Sequence, residues 1–218
     1  MTRPRPLRRP STRLVRAVVL AAALSAGGAA AFAPSVVPSA HAADGVERLI
    51  DQAGEKMRAG EAGAAVRLLD QARSQEPENP EAHLLYQEAA IEALGADAVA
   101  ADYKQRAASQ PDSALFQFLE LRLLDAEKSL PKWKTLATQF KTSPWPSAGW
   151  ARALERLGRF KESLEQHDRA LAAAEPGDVR FRAFQAYGLE RASDWASAII
   201  AWRAVLELSA RLEGALAA

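Results

Sequence analysis

The stretch GRFKESLEQHDRALAAAEP, residues 158–176, carries the pattern that decides the fold. It joins a turn glycine, an aromatic residue two positions later, two small residues at helical spacing and a closing proline. A similar string, GEAGAAVRLLDQARSQEP, occupies residues 60–77, and SDWASAIIAWRAVLEL occupies residues 193–208. The strings that begin at residues 158 and 193 start 35 residues apart. Self-similarity at such a spacing indicates a repeat protein.

Helical periodicity continues along the chain between these strings. Apolar residues recur every three or four positions between glycine and proline breaks, which predicts ten helices in five pairs. Pro77 and Pro111, which close the first two pairs, are 34 residues apart. No stretch longer than a few residues alternates with period two, so we expect an all-α fold. Pairs of this length cannot bury their apolar faces alone and therefore stack into a solenoid.

This repeat resembles that of the tetratricopeptide repeat family. The family's turn glycine, aromatic, small residue, alanine and proline match these residues of the fourth pair: Gly158, Phe160, Ser163, Ala170 and Pro176. The resemblance implies a right-handed solenoid of about five antiparallel helix pairs over residues 43–211, followed by a tail, residues 212–218. It also implies that small residues stand where paired helices approach closely: Ala65, Ser163 and Ala198.

The third pair, within residues 112–144, departs from this pattern. No glycine marks its turn, and the register of its apolar residues is irregular. A serine followed by a proline is a common helix start, so we expect Ser129 to cap the second helix with Pro131 in the first turn.

The first 42 residues have the pattern of an export signal. Six arginines and no acidic residue precede an apolar run over residues 17–33, and Ala40, His41 and Ala42 form the small-x-small motif that a signal peptidase reads. We therefore expect cleavage after Ala42 and a periplasmic or secreted protein. The alternative is an uncleaved membrane anchor, although the run is shorter than the roughly 20 apolar residues of a membrane span.

Charge and composition argue against several classes of function. Without residues 1–42 the chain keeps 22 of its 28 basic residues and all 27 acidic ones, a net charge of −5. A net acidic domain is repelled by phosphate backbones, so we expect no nucleic-acid partner. The chain has no cysteine, which excludes disulfides, thiol catalysis and cysteine-based zinc sites.

No catalytic or cofactor motif is recognisable. Beyond residue 42 the chain has two histidines, His83 and His167, and neither stands near another in sequence. We interpret His167 as a packing residue. Ser129 and Lys132 match the bare S-x-x-K of serine acyl enzymes, but the two accompanying motifs are absent. We expect no catalytic residue, cofactor or metal, with an enzyme of unrecognised site as a minor alternative.

All five tryptophans lie in the second half of the chain. Four stand on apolar helical stripes and are predicted to be core residues: Trp133, Trp150, Trp195 and Trp202. Trp145 stands between two prolines and is predicted to lie in an extended linker. Two interpretations stay open for Trp145, a contact with a partner or a plug over the local core.

In the family that the repeat resembles, the first helix of each pair lines a concave groove. Carried over to this chain, the residues near the groove are acidic in pair two and mostly basic later: Glu88, Glu92, Arg122, Asp125, Arg152, Arg156, Tyr187 and Arg191. One hypothesis is that the basic end binds a carboxylate of a partner, at a C-terminus or an acidic segment, through forked arginine hydrogen bonds. The alternative is an ordinary solvated face.

The last helix carries more apolar surface than one neighbour covers. Ile199, Ile200 and Leu206 accompany its tryptophans, and only about ten residues follow. A solenoid needs a polar outer face on its terminal unit. We expect this end to be covered by a partner, by a second copy in a homodimer, or by the folded-back tail.

Together these features predict a non-enzymatic scaffold or adaptor. It would bind a peptide or helix of an envelope protein in its groove and support assembly of a complex. An accessory subunit of an envelope enzyme and a membrane-anchored scaffold are the alternatives.

Overall fold

A computed structural model describes the backbone of residues 40–216 and the side chains of residues 45–211. This part of the chain forms ten α-helices and no strand, which confirms the predicted all-α fold. The helices are α1 Ala40–Arg58, α2 Ala62–Gln75, α3 Pro80–Leu94, α4 Ala96–Ser109, α5 Ala114–Leu121, α6 Ala126–Gln139, α7 Pro144–Arg156, α8 Phe160–Ala173, α9 Val179–Arg191 and α10 Trp195–Leu216. Most of the predicted export signal, residues 1–39, and the last two residues of the tail lie outside the described residues.

The helices stack as five consecutive pairs. Each helix packs against the next one along the chain, and short turns make such neighbours antiparallel. In addition α1 contacts α3, α3 contacts α5, and α5 contacts α7. We call these four helices, α1, α3, α5 and α7, the first-helix layer. The predicted tetratricopeptide-like solenoid of five pairs is therefore confirmed.

Left-handed backbone at the turn within a pair explains the glycines of the pattern. The φ angle is 74° at Gly60, 92° at Gly95 and 73° at Gly158. This conformation favours glycine because a Cβ atom crowds the following carbonyl oxygen. Ser193 takes the glycine's place in the fifth pair and has a φ of 62°. The fifth turn therefore keeps the geometry at a cost of roughly 1–2 kcal/mol.

The third pair begins its second helix earlier than the sequence predicted. Asp125, not Ser129, is the N-cap of α6, and its Oδ1 accepts hydrogen bonds from the backbone N–H groups of Glu127 (3.0 Å) and Lys128 (3.4 Å). Ser129 lies one turn inside the helix, buried, where its Oγ donates to the carbonyl oxygen of Ala126. The prediction for Ser129 was wrong because Leu123 and Leu124, partly buried against the core, make the turn instead of a glycine.

Small residues stand at the close approaches between helices. Ala65, Ser163 and Ala198, predicted at the approach within a pair, are all buried. Between pairs, a Cβ atom added at Gly149 in α7 would overlap the ring of Trp133 in α6. A glycine at position 149 therefore lets α7 lie directly on the buried indole.

The tryptophans divide between core and surface. Trp133 is fully buried, and Trp150 and Trp202 are partly buried, as predicted for core residues. Trp195 is 62% exposed, so its assignment to the core was wrong. It begins α10, and among the described helices only α9 packs against α10, so no further pair covers its ring.

The two flanking prolines suggested that Trp145 lies in an extended linker, and this prediction was wrong. Pro144 is the first residue of α7, a position that proline tolerates, and Trp145 belongs to the first helical turn. Its half-buried ring lies 5.1 Å from the ring of Phe118 and 5.3 Å from that of Phe181, between centroids. Trp145 therefore joins the third, fourth and fifth pairs at the core. A contact between Trp145 and a partner stays a prediction.

Candidate partner-binding site

Four of the predicted groove residues occupy one equivalent position in successive first helices. Each stands eight residues after the first residue of its helix, at Glu88 in α3, Arg122 after α5, Arg152 in α7 and Tyr187 in α9. Because α3, α5 and α7 lie side by side, the repeat places Glu88, Arg122 and Arg152 in order across neighbouring helices. We call these three residues the charge row.

Arg122 is tied to α3 by two side chains. Its Nη1 donates a hydrogen bond to Oε1 of Gln87, and its Nη2 lies 4.0 Å from Oε1 of Glu88. Gln87 also donates from Nε2 to the carbonyl oxygen of Leu119 at 2.8 Å, near the end of α5. The side chains of Arg122 and Glu88 are 11% and 13% exposed. These contacts hold α3 against α5 and fix the direction of the Arg122 guanidinium.

Burial and neighbouring charges shift the pKa values of the charge row. The pKa of Arg152 is lowered to about 9, chiefly by burial and then by the positive charges of Arg122 and Arg156, against the opposing effect of Glu155 and Glu88. Burial also lowers the pKa of Arg122. The pKa of Glu88 is raised to about 7 by burial, against the attraction of Arg122 and Arg152. At neutral pH the arginines keep their charge, while the nearby carboxylate of Glu88 is easily protonated.

Three arginines are among the residues that line one small cavity. Arg122, Arg152 and Arg156 line it with Trp133 and Gly149, and its volume is about 10 Å³, close to that of one water molecule. Arg156 is exposed and donates from Nη1 to the carbonyl oxygen of Leu124 at 3.2 Å. A guanidinium presents planar, paired N–H donors that suit a carboxylate. The arrangement can therefore hold an anionic oxygen at its exposed, Arg156 side.

The other predicted groove residues do not join the charge row. Glu92 is exposed one turn beyond Glu88, and Asp125 caps α6. Tyr187 is half-buried and packs in a small separate cluster around Ala183 and Val205. The structure thus places four predicted residues together, Glu88, Arg122, Arg152 and Arg156, and the rest elsewhere.

Arg191 lines a second, wider depression at the turns of the last two pairs. Its guanidinium carbon lies 5.1 Å from the centroid of the Phe160 ring. The depression, about 420 Å³, is also lined by Gly158, Glu162 and Ser193. Arg191 therefore belongs to the edge of the solenoid where the turns lie, apart from the charge row.

Sequence reasoning missed Gln87 and Glu155. Gln87 is fully buried and links Leu119 to Arg122, although nothing in its spacing distinguishes it from a solvated polar residue. Glu155 is buried beside His167, whose Nε2 lies 2.7 Å from Oε1 of Glu155. The interpretation of His167 as a packing residue is confirmed, since it is fully buried with its ring 4.1 Å from that of Phe184, between centroids.

Sites of two other kinds are not found among the described residues. No group of three or more His, Asp or Glu side chains among them could hold a metal ion. No helix in this part of the chain combines the length and apolarity that crossing a bilayer requires.

Comparison with known proteins yields similar folds at low identity. No family model matches the chain, and no curated protein matches it. MamA from Desulfovibrio magneticus RS-1 is 14% identical, with a TM-score of 0.47 over 77% of this chain and 97% of that one. A thermophilic TPR protein of Thermus thermophilus is 15% identical, with a TM-score of 0.49 over 79% of this chain and all of that one. These values do not indicate what the chain binds.

The repeat of this chain itself decides its class. Pairs about 35 residues long, left-handed turns at Gly60 and Gly158, and buried small residues at Ala65, Ser163 and Ala198 occur together. The fold is a tetratricopeptide-repeat-like solenoid. In this tetratricopeptide-repeat-like chain, the charge row and Arg156 form the candidate site.

Proposed function

We propose that the protein is a non-enzymatic scaffold that binds a peptide or helix of an envelope protein across α3, α5 and α7. A carboxylate of that partner, from a C-terminus or an acidic side chain, meets the arginines around the cavity. The mature protein acts outside the cytoplasm after removal of residues 1–42. The convergence of Arg122, Arg152 and Arg156 on one cavity is the observation that supports this proposal.

An excess of positive charge supplies the attraction for a carboxylate. Three arginines surround the cavity, and the pKa of Glu88, the acidic member of the charge row, is raised to about 7 by burial. Positive groups held out of water near one another repel, so an added anion lowers the free energy of the cluster. Forked hydrogen bonds then fix the orientation of the bound carboxylate.

Access to the cluster is graded across its three arginines. Arg156 is exposed and offers its donors to solvent, whereas the side chain of Arg122 is 11% exposed and that of Arg152 is buried. A ligand therefore contacts Arg156 first. Arg122 and Arg152 contribute mainly their positive field and their fixed geometry, because both are held among buried neighbours.

An array of C-terminal segments of envelope proteins, each synthesised as the free acid and as the amide, tests the proposal. We expect some segments to bind as the acid and to bind more weakly as the amide. The variant Arg156→Ala should weaken binding of the acid at least about 10-fold, since a hydrogen bond to a charged group contributes about 1.5–3 kcal/mol. Raising the salt concentration should weaken binding further.

The variant Arg169→Ala is the matched control. Arg169 is an exposed arginine of α8 that pairs with Glu165 at 2.6 Å, away from the charge row. Its loss changes net charge by the same amount as Arg156→Ala and should leave affinity unchanged. Binding that is equal for acid and amide and unaffected by Arg156→Ala would refute the carboxylate site. An array with no bound segment would refute the peptide scaffold.

A further inference from the structure

The last described helix, α10, exposes a concentration of large apolar side chains. Trp195, Ile199, Ile200 and Leu206 are between 49% and 69% exposed. Only two other large hydrophobic side chains in the described part of the chain are exposed to a comparable degree, Ile91 and Leu94. A terminal helix of a solenoid normally presents a polar outer face, so this surface indicates an interface.

The repeat shows which face of α10 is uncovered. An offset of 35 residues carries Leu164, His167 and Leu171 of α8 onto Ile199, Trp202 and Leu206 of α10. On α8 these positions are buried or partly buried, and His167 lies against Phe184 and Gly188 of the next helix, α9. The corresponding face of α10 has no following helix among those described. Its apolar residues thus occupy positions that receive a helix elsewhere in the stack.

The opposite end of the solenoid does not complement this face. Helix α1 exposes charged side chains, among them Glu55 and Arg58. Stacking α1 of one molecule on α10 of another would place these charges against apolar side chains, which is unfavourable without compensating pairs. A head-to-tail contact is therefore disfavoured, whereas a contact of α10 with the same face of a second α10 buries apolar surface on both sides.

We propose that the apolar face of α10 forms a two-fold homodimer interface, in which it packs antiparallel against the same face of a second copy. Arg203 and Glu207 are both exposed and stand one helical turn apart beside the apolar residues. A two-fold axis passing near Val205 brings each Arg203 opposite the partner's Glu207. The face is thus complementary to itself in charge as well as in apolarity.

Other occupants fit this face less well. An anionic lipid surface would be repelled by the mature chain's net charge of −5 and by Glu207 within the exposed face. A helix of an unrelated protein would need an acidic and a basic residue placed to match Arg203 and Glu207. A second copy already carries that pair, because Arg203 and Glu207 complement each other across a two-fold axis. The second copy is therefore the occupant supported by the side chains present.

Sedimentation velocity of the purified protein over a range of concentrations, about 1 to 100 µM, tests the homodimer. We expect a reversible monomer–dimer equilibrium that Leu206→Glu shifts to monomer by at least about 10-fold in the dissociation constant. Arg203→Glu should weaken the dimer, and the double variant Arg203→Glu with Glu207→Arg should restore it. Glu207→Arg alone should weaken the dimer as well. The two single variants change the net charge in opposite directions, so weakening by both, with recovery in the double variant, identifies a complementary pair and not a general effect of charge.

Leu94→Glu is the control, because Leu94 is 58% exposed at the end of α3, away from α10. It should leave the dimer unchanged, and circular dichroism should show that every variant stays folded. A monomer at all concentrations would overturn the proposal, as would a dimer that tolerates Leu206→Glu. These outcomes are independent of peptide binding at Arg156, so either proposal can fail alone.

Discussion

Nε2 of His167 lies 2.7 Å from Oε1 of Glu155, and both side chains are buried between α7 and α8. Their remaining polar atoms, Oε2 of Glu155 and Nδ1 of His167, have no hydrogen-bond partner in the structure. The pair therefore depends on a single contact. A buried carboxyl group that loses its hydrogen-bond partner is destabilising, because its polar atoms are then unsatisfied in a medium of low polarity.

His167→Ala should consequently lower the free energy of unfolding by about 3–5 kcal/mol, through the unpaired Glu155 and the space left beside Phe184. The double variant His167→Leu with Glu155→Leu should recover part of this loss, since no charge stays buried. Urea denaturation followed by circular dichroism measures both. The exposed pair Arg169 and Glu165 is the control, and Arg169→Ala should change stability by no more than about 0.5 kcal/mol. A small effect of His167→Ala would show that Glu155 finds water or another partner.

Gly149→Ala should destabilise the protein, although alanine is the better helix former. The added methyl group would overlap the buried ring of Trp133, so α6 and α7 must separate, at a cost of about 1–3 kcal/mol. Gly63→Ala is the control, because nothing lies within 4 Å of a Cβ atom at that position in α2. It should stabilise by up to about 1 kcal/mol. Thermal denaturation of the two variants should therefore give shifts of opposite sign.

Glu88 should make stability fall as the pH rises towards neutrality. Its pKa is raised from 4.5 to about 7, principally by burial, so between these values the folded protein holds a proton that the unfolded chain has lost. The free energy of unfolding therefore falls across this window, by on the order of 2 kcal/mol, because only the unfolded chain is stabilised by releasing the proton. Urea denaturation at pH 5 and pH 8 should show this loss in the wild type and not in Glu88→Gln. If the wild type and Glu88→Gln showed the same change in stability with pH, the prediction would be contradicted.

His83 should act in the opposite direction. It is buried between Oη of Tyr103, 2.9 Å from Nδ1, and the carbonyl oxygen of Pro77, 2.8 Å from Nε2. A carbonyl only accepts, so neutral His83 carries its proton on Nε2, and Nδ1 faces the hydroxyl of Tyr103, which also lies 3.2 Å from the carbonyl oxygen of His83. Burial lowers the pKa of His83 from 6.5 to about 4, against the hydrogen bond to Pro77, so the folded protein keeps it neutral while the unfolded chain gains a proton.

The free energy of unfolding should therefore fall as the pH decreases from about 6.5 to about 4, by an amount on the order of 2 kcal/mol. His83→Gln removes this dependence, and comparing the two proteins at pH 7 and pH 4.5 isolates it from other titrations. NMR of the imidazole in the folded wild type supplies a second measurement. A His83 that titrates near pH 6.5 in the folded protein would contradict the prediction.

The turns and close approaches that follow the repeat could be predicted from the sequence. The burial of individual side chains could not, because it depends on which other helices lie against them. Gly60 and Gly158 marked turns because their backbone conformation favours glycine, and Ala65 marked a close approach because only a small side chain fits there. Trp195 has the spacing of a core residue, but its burial depends on a following helix that is not found among those described. A charged residue such as Glu155 is ordinarily exposed, so its burial could not be inferred without knowing that His167 faces it.

The candidate site was predicted in part. Arg122, Arg152 and Arg156 follow from the position of first helices in the repeat, and the structure brings them to one cavity. Their graded exposure was not predictable, because it depends on how closely α5 and α7 approach. Asp125 was misplaced for a related reason, since a turn of leucines shifted the start of α6 by several residues.

The equivalent positions of Glu88, Arg122 and Arg152 also set a spacing for recognition. Packed helices lie about 8–10 Å apart, which corresponds to about three residues of an extended chain. A strand laid across α3, α5 and α7 therefore passes over one member of the charge row at about every third residue, in the order Glu88, Arg122, Arg152. Because each pair contacts chiefly its neighbours, replacing the charge-row side chain of one pair alters that step of the sequence and its interactions with the adjacent steps, but not pairs farther along the stack.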